Sequence, residues 1–303
     1  MRKRKKAITL SLILIGIIIL LAGGIYLVRS PKKEDIRDNN SKPNPTLNNK
    51  DENNKIVEKL KLLNNINKSI DYFKMEYLDR YVTFKQNHSN LTNEDVVTRV
   101  NLNLDKPAYT NTKDTPYLNQ IYLLSNKYIS MPSTYIPKGL EVISSTYSNG
   151  SRQLVKEAKE AFEEMALQAK KEGFTIRAMS TYRSYKYQVT LYQNYVDQDG
   201  KEKADTYSAR AGFSEHQTGL VADIDNKEKA YTSFHLTKEF TWMKNNAYKF
   251  GFILRYPKGK EEITGYGYES WHYRYVGVPV ATYIHEHDIT FDEYYAKFID
   301  GKK

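Results

Sequence analysis

The chain is predicted to fold as an α+β domain, a small antiparallel sheet flanked by helices around a chemical cleft. Three observations predict it. Leu154, Ala158, Ala161, Phe162, Met165 and Ala169 recur at helical spacing between Ser151 and Lys171, and Gly173 ends the run. Phe174, Ile176 and Ala178 alternate with Thr175, Arg177 and Met179, the pattern of a half-buried strand. Further helix and strand patterns follow without a strict βαβ rhythm, which selects α+β.

Taken in order, the chain opens on five basic residues, Arg2 to Lys6, followed by an uncharged Ile- and Leu-rich run over 7–28. At about 1.5 Å per residue that run spans roughly 33 Å, enough to cross a hydrocarbon core. A cleaved signal peptide has a shorter apolar region and a small-x-small cleavage site. This run is longer and ends in Ile25-Tyr26-Leu27-Val28, so an uncleaved single-pass membrane anchor is expected. The basic tip, 1–6, then stays in the cytoplasm and the remaining chain lies outside. Residues 29–55 are rich in Asn, Lys, Asp, Glu, Ser and Pro, a composition that cannot offset its ordering entropy, and are expected to be a disordered stalk.

Ile56, Leu60, Leu63, Ile66, Ile70 and Phe73 predict one or two amphipathic helices, and Thr92 is placed as the N-cap of a short helix through Val96, Val97 and Val100. Residues 56–115 thus form a helical N-terminal segment ahead of a main domain over 116–303. Within that domain, Tyr122-Leu123-Leu124 is expected as a strand or extended segment and Ser151 as the start of the helix to Lys171. Tyr182-Arg183-Ser184 follows the strand after Gly173 and precedes a helix over 185–195. Leu220–Ile224, Phe252–Arg255 and Trp271–Val276 are expected strands, and Thr237–Phe250 and Val278–His285 expected helices, with Gly251 as a C-terminal stop.

The net charge is +10, half of it in residues 2–6, and the remaining excess suits work near anionic polymers. No stretch joins dense Lys/Arg to a nucleic-acid motif, so no nucleic-acid partner is expected. The chain has no cysteine, which excludes disulfides and lipid attachment at an N-terminal cysteine.

Chemistry concentrates in two stretches, Ser214-Glu215-His216-Gln217-Thr218-Gly219-Leu220-Val221-Ala222-Asp223 and Glu269-Ser270-Trp271-His272. His216, Asp223 and His272 supply two imidazoles and a carboxylate, the ligand set of a hydrolytic zinc site with one position left to water. Glu269 is the spare carboxylate such a site needs to take a proton from that water. On a regular strand Glu269 and His272 would face opposite sides, so a turn or bulge at Ser270-Trp271 is required. The other histidines, His88, His235, His285 and His287, are expected at the surface. Trp271 is expected to line the cleft.

Three motifs in order resemble the VanY-type D-alanyl-D-alanine carboxypeptidases. They are Tyr182-Arg183-Ser184-Tyr185 with Gln188, then Ser214-x-His216-x-x-Gly219 through Asp223, then Glu269-x-Trp271-His272. These enzymes belong to a zinc peptidase group shared with D-Ala-D-Ala dipeptidases and the hedgehog fold. The resemblance covers roughly residues 117–300. It implies a hedgehog/D-Ala-D-Ala-peptidase-like fold and one Zn2+ held by His216, Asp223 and His272. It also implies Glu269 as general base, with Arg183 and Gln188 on the substrate's C-terminal carboxylate or developing oxyanion and Ser214 as a further substrate contact. A guanidinium matches a free carboxylate bidentately, as Lys does not. The implied protein is a bacterial membrane-anchored D,D-carboxypeptidase acting on peptidoglycan stem peptides. L,D-carboxypeptidase, dipeptidase or endopeptidase action on the same polymer, or a non-catalytic wall-binding domain, are the alternatives.

Overall fold

The computed structural model describes residues 70–226, 228 and 230–300, with 54–55, 57–59 and 61–62. The basic tip, the apolar run expected to cross the membrane and the stalk up to residue 53 lie outside the described residues. Among the described residues no helix is long and apolar enough to cross a membrane.

Residues 52–303 form one compact unit. Its centre is a four-stranded antiparallel sheet in the order β5 (Arg177–Ser180), β6 (Val221–Asp225), β8 (Glu269–Tyr275), β7 (Phe252–Tyr256). Outside it, β1 (Lys113–Asp114) pairs in parallel with β2 (Ile129–Ser130), and β3 (Leu140–Val142) pairs antiparallel with β4 (Gln153–Val155). The predicted α+β class with a small antiparallel sheet is therefore what forms.

Alternation along the central strands gives the sheet two different faces. Ala178, Ala222, Ile224, Tyr273 and Tyr275 enter the main core, where Ala158, Phe162, Met165 and Ala169 of one helix (Lys156–Lys171) pack against them. Asp223, His272 and Arg274 hold the intervening positions and turn to the other face. The helix thus covers one side of the sheet, and the chemistry sits on the other.

Numbered in chain order among the described residues from 70 onward, the α-helices are α1 (Leu78–Asn87), α2 (Asn93–Asn101), α3 (Lys156–Lys171), α4 (Tyr185–Asp199), α5 (Lys201–Tyr207), α6 (Lys238–Asn246), α7 (Glu261–Thr264), α8 (Val278–His287) and α9 (Phe291–Phe298). Thr92 caps α2 as expected, accepting from the Asp95 amide while Asp95 reaches back to the Thr92 amide. Tyr81, Val82, Phe84, Val96, Val97 and Val100 bury a cluster of their own between α1 and α2. Glu94 of α2 pairs with Lys297 of α9 at 2.8 Å, and Lys74, ahead of α1, pairs with Asp300 at 2.6 Å. A second core cluster joins Ile253 and Val276 to Val280 and Ile284 of α8 and Phe291 and Tyr295 of α9.

Several expectations are corrected. The helix expected from Ser151 starts at Lys156, because Leu154 is buried as the centre of β4 against β3. Tyr122-Leu123-Leu124, expected as a strand or extended segment, forms no strand, because the Leu123 amide donates back to the Gln120 carbonyl and the Leu123 carbonyl accepts from Arg274 rather than from a neighbouring strand. The helix after Ser184 runs on to Asp199, four residues past the expected Tyr195. Thr237 caps α6, which ends at Asn246, and a 3-10 turn over Ala247–Phe250 completes the segment before Gly251. Among the expected helical positions in the N-terminal segment, Ile56, Leu60, Leu63 and Ile66 lie outside the described residues.

A buried His–Asp–His cluster on the open face of the sheet

Each predicted metal ligand comes from a different local device. Glu215–Thr218 make a single 3-10 turn that ends in Gly219, whose φ of +69° is the left-handed conformation glycine tolerates. That turn aims His216 back at β6. Its Nδ1 lies 2.7 Å from the Thr181 carbonyl, so the N–H is donated there and the lone pair of Nε2 faces inward. Asp223 sits mid-β6, with His272 of β8 directly opposite in register. Ligand atoms of His216, Asp223 and His272 all lie within 4.8 Å of one another, and the three residues are buried.

The bulge that the chemistry required is present. Leu254 pairs with Tyr273 and Tyr256 with Glu269, so four steps along β8 oppose two along β7. The extra residues rotate Glu269 onto the face of His272, and Glu269 Oε2 lies 3.4 Å from His272 Nδ1.

Electrostatics at the cluster are those of groups gathered out of water. His216 Nε2 approaches Asp223 Oδ2 at 3.3 Å, and His272 Nδ1 approaches Asp223 Oδ1 at 3.1 Å. Burial and the neighbouring Arg183 guanidinium hold the His216 imidazole down at about 4. Burial opposes charge on His272, but the carboxylates of Asp223 and Glu215 push it up to about 9. Burial lifts the Glu269 carboxyl to about 7, with the Asp223 charge reinforcing it and His272 and Arg183 opposing.

The donor set fits a metal ion. With its proton on Nδ1, His216 presents a lone pair to a carboxylate oxygen, and buried Asp223 Oδ1 has no hydrogen-bond partner. Acceptors crowded together away from water are reconciled by a cation. Two imidazoles and one carboxylate, with a further carboxylate close by and a cleft in front, are the donors of catalytic zinc.

The cleft encloses about 360 Å³. Arg183, Gln188, Ser214, Glu269 and Trp271, all singled out in the sequence, line it beside the ligands. Arg183 leaves the end of β5 and donates from Nη2 to Asp223 Oδ2 at 2.8 Å and from Nε to Ser180 Oγ at 3.0 Å. Ser184 caps α4, accepting from the Tyr187 amide, and this start to the helix turns Gln188 inward. There Gln188 Nε2 donates to the Ala209 carbonyl at 2.8 Å, while its Oε1 is buried without a partner. Trp271 meets Tyr231 edge to face at the rim. His88, His235, His285 and His287 are all exposed, as expected.

Sequence reasoning passed over Glu215. It is fully buried, and Arg255 Nε at 2.8 Å and Arg274 Nη1 at 3.1 Å both donate to its Oε1. Arg255 also pairs with Asp292 at 2.5 Å. Two of these charges were visible beside the motifs, Glu215 before His216 and Arg274 two residues after His272 on the same strand face.

Fold and site together fit the class of zinc hydrolases, with two of the candidate metal ligands on an antiparallel sheet and the third on the turn before it. The VanY family, described as D-alanyl-D-alanine carboxypeptidase, matches residues 151–278. The chain is 42% identical over 184 residues to the putative carboxypeptidase YodJ of Bacillus subtilis (strain 168), spanning 58% of this chain and 67% of that one. It is similar to the solved structure of the LdcB LD-carboxypeptidase, with 39% identity and a TM-score of 0.59 over 62% of this chain and 91% of that one. A structure of the vancomycin resistance D,D-pentapeptidase VanY in complex with Zn(II) is 30% identical, with a TM-score of 0.50 over 57% of this chain and 97% of that one. The chain belongs to the VanY family of zinc carboxypeptidases.

Proposed function

We propose that this protein is a D,D-carboxypeptidase that removes the terminal D-alanine from peptidoglycan stem peptides. The carrying observation is the juxtaposition of the buried His216–Asp223–His272 donors with Glu269 in a cleft whose wall bears Arg183. Bound zinc supplies Lewis acidity, polarising a carbonyl and acidifying water. His216, Asp223 and His272 hold the ion. Glu269 accepts the proton of the attacking water at its carboxylate and delivers it to the leaving amine nitrogen. Arg183 offers a charged fork to the substrate's free carboxylate or to the oxygen that gains charge. Gln188 and Ser214 add polar contacts, and Trp271 provides an apolar wall.

The apolar run over 7–28 anchors the enzyme in the bacterial cell membrane, and the stalk over 29–55 carries the catalytic domain to the wall; both roles rest on composition. A second reading is favoured by one observation, the 39% identity to an LD-carboxypeptidase. On that reading the same residues act on a tetrapeptide whose last bond joins an L-configured residue to D-alanine.

Product analysis separates the two. Zinc-loaded enzyme incubated with a muropeptide mixture should convert pentapeptides to tetrapeptides with release of D-alanine, read by mass spectrometry. Tripeptide products from tetrapeptides alone would replace the D,D reading with the L,D one, and no product from either would refute both.

A further inference from the structure

The metal ligand His272 has two ring nitrogens, and only Nδ1 faces the donor cluster. Nε2 points the opposite way, toward Glu215 Oε2 at 3.7 Å. Both of these atoms are buried, and neither has a hydrogen-bond partner elsewhere. Glu215 cannot swing away, because its other oxygen is clamped by Arg255 at 2.8 Å and Arg274 at 3.1 Å. The two arginines are fixed in turn. Arg255 Nη1 donates to Asp292 at 2.5 Å, and Arg274 Nη2 donates to the carbonyls of Ile121 and Leu123 at 2.9 and 2.7 Å. Asp292 receives a further bond from Asn126 at 2.9 Å.

Glu215, Asp292, Arg255 and Arg274 are all fully or almost fully buried, and two anions balance two cations. Such an assembly is a poor source of net stability, since desolvation offsets most of the attraction. Its location suggests a different use. The one carboxylate oxygen left over, Glu215 Oε2, is the one aimed at the outer nitrogen of a metal ligand. A carboxylate there holds the imidazole proton on Nε2 and leaves the lone pair of Nδ1 free for the ion.

We propose that Glu215 is a positioning residue that fixes the metal-binding tautomer and ring orientation of His272, and that Arg255 and Arg274 hold it there. The proposal rests on the reading of His272 as a zinc ligand. It also gives the loop at 121–126 and helix α9 a part in the site, because both anchor the arginines through Leu123, Asn126 and Asp292.

Glu215→Gln is the direct test, and its outcome follows from donor geometry. The arginines offer only N–H groups, so the amide oxygen must face them and the NH2 must turn toward His272. An NH2 beside Nε2 favours the tautomer with its proton on Nδ1, the wrong one for the metal. Zinc affinity, measured by competition with a chromophoric chelator, should fall about 10- to 100-fold. Tyr81→Phe, which removes a buried hydroxyl contact to Asn101 far from the cleft, serves as a control for lost stability alone and should leave affinity within about threefold. His216→Ala reports on the underlying reading: zinc retained there would overturn the metal site itself. Zinc lost in His216→Ala but held at full affinity by Glu215→Gln would overturn the role of Glu215 alone. Should Glu215→Gln fail to fold, the 15N-histidine spectrum of the zinc-loaded wild-type protein decides. Metal on Nδ1 with a slowly exchanging Nε2–H supports the proposal, and metal on Nε2 overturns it.

Discussion

Glu269 Oε2 stands 3.4 Å from His272 Nδ1, although the two are three positions apart on a single strand. The contact exists because β8 carries two more residues than β7 between their paired positions. On a regular strand the carboxylate would point into the α3 side of the sheet while the imidazole faced the cleft. The bulge therefore does what a separate loop does in other hydrolytic sites. It puts a carboxylate next to the candidate metal ligand His272 while keeping both on a rigid element.

Glu269→Gln should therefore abolish turnover without emptying the site. The amide keeps the size of the carboxylate but cannot accept a proton, and loss of a positioned general base lowers the rate by about 10²- to 10⁴-fold. Zinc content by elemental analysis should remain near one per chain. A variant keeping more than a tenth of wild-type kcat would remove Glu269 from the proton path.

Removing the metal should loosen the fold as well as stop catalysis. Any ligand that binds only the folded state adds RT ln(1 + [L]/Kd), about 2.7 kcal/mol when free zinc exceeds its Kd a hundredfold. In a folded unit of this size that corresponds to a Tm rise of roughly 5–10 °C on restoring zinc to chelator-treated protein. His216→Ala should show no such rise. Equal melting with and without zinc in the wild type would mean that the three donors do not close on an ion.

Which parts of this were legible in sequence follows from the range of the interactions. Thr92 is legible as a cap because it stands just ahead of the helical run through Val96, Val97 and Val100, and the structure adds its reciprocal bonds with Asp95. Thr290 and Glu293 form the same box at the start of α9, and the signature was equally local, yet that helix went unread. The two His-bearing motifs were legible because metal chemistry restricts residue type. Glu215 was not, since a glutamate beside a histidine is ordinary until Arg255 and Arg274 arrive from two other strands to neutralise it. Tyr122–Leu124, expected as a strand or extended segment, forms no strand for a related reason. The carbonyls of Leu123 and of the preceding Ile121 serve a distant arginine rather than a neighbouring strand. The bulge in β8 was foreseen from what the chemistry requires; no local propensity at Ser270-Trp271 announces it.

Gly219→Ala should damage both stability and the metal site. A Cβ there would stand 2.9 Å from Leu140 Cδ2 and 3.1 Å from Val155 Cγ1, in a backbone conformation that L residues rarely adopt. Gly150 shares the positive φ, at +80°, but a Cβ there meets nothing within 4 Å. Gly150→Ala should therefore cost about 1 kcal/mol from the backbone alone, and Gly219→Ala about 2–3 kcal/mol. Only Gly219→Ala should also weaken zinc, because the turn it closes aims His216. Thermal melts with zinc titrations on both variants check this, and equal effects would make the crowding at Gly219 irrelevant.

The rim of the cleft carries an acid-sensitive clamp at Asp205. Arg210 grips its carboxylate from Nη2 at 2.7 Å and Nε at 3.0 Å, and Tyr192 donates to it at 2.8 Å. The Lys127 ammonium meanwhile donates to the Asp205 carbonyl. These bonds tie α5 to α4 and to Arg210 at the end of the 208–210 segment, where Ser208 and Ala209 line the cleft. Burial pushes the Asp205 carboxyl up, but the bonds from Arg210 and Tyr192 overcome it and leave it below the ordinary range. A depressed folded-state value means that the unfolded chain binds more protons in acid. The contribution is therefore complete above the unfolded pKa of about 3.9 and is lost as pH falls through the folded value. Asp205→Asn should lower Tm at pH 7, modestly because the pair is partly exposed, and the gap from wild type should close as pH drops below about 4. The melts are best made on metal-free protein, so that proton competition at the zinc ligands does not enter the comparison. A gap that stays constant from pH 7 to pH 3 would show that the Asp205 charge contributes nothing and that the substitution acts through packing alone.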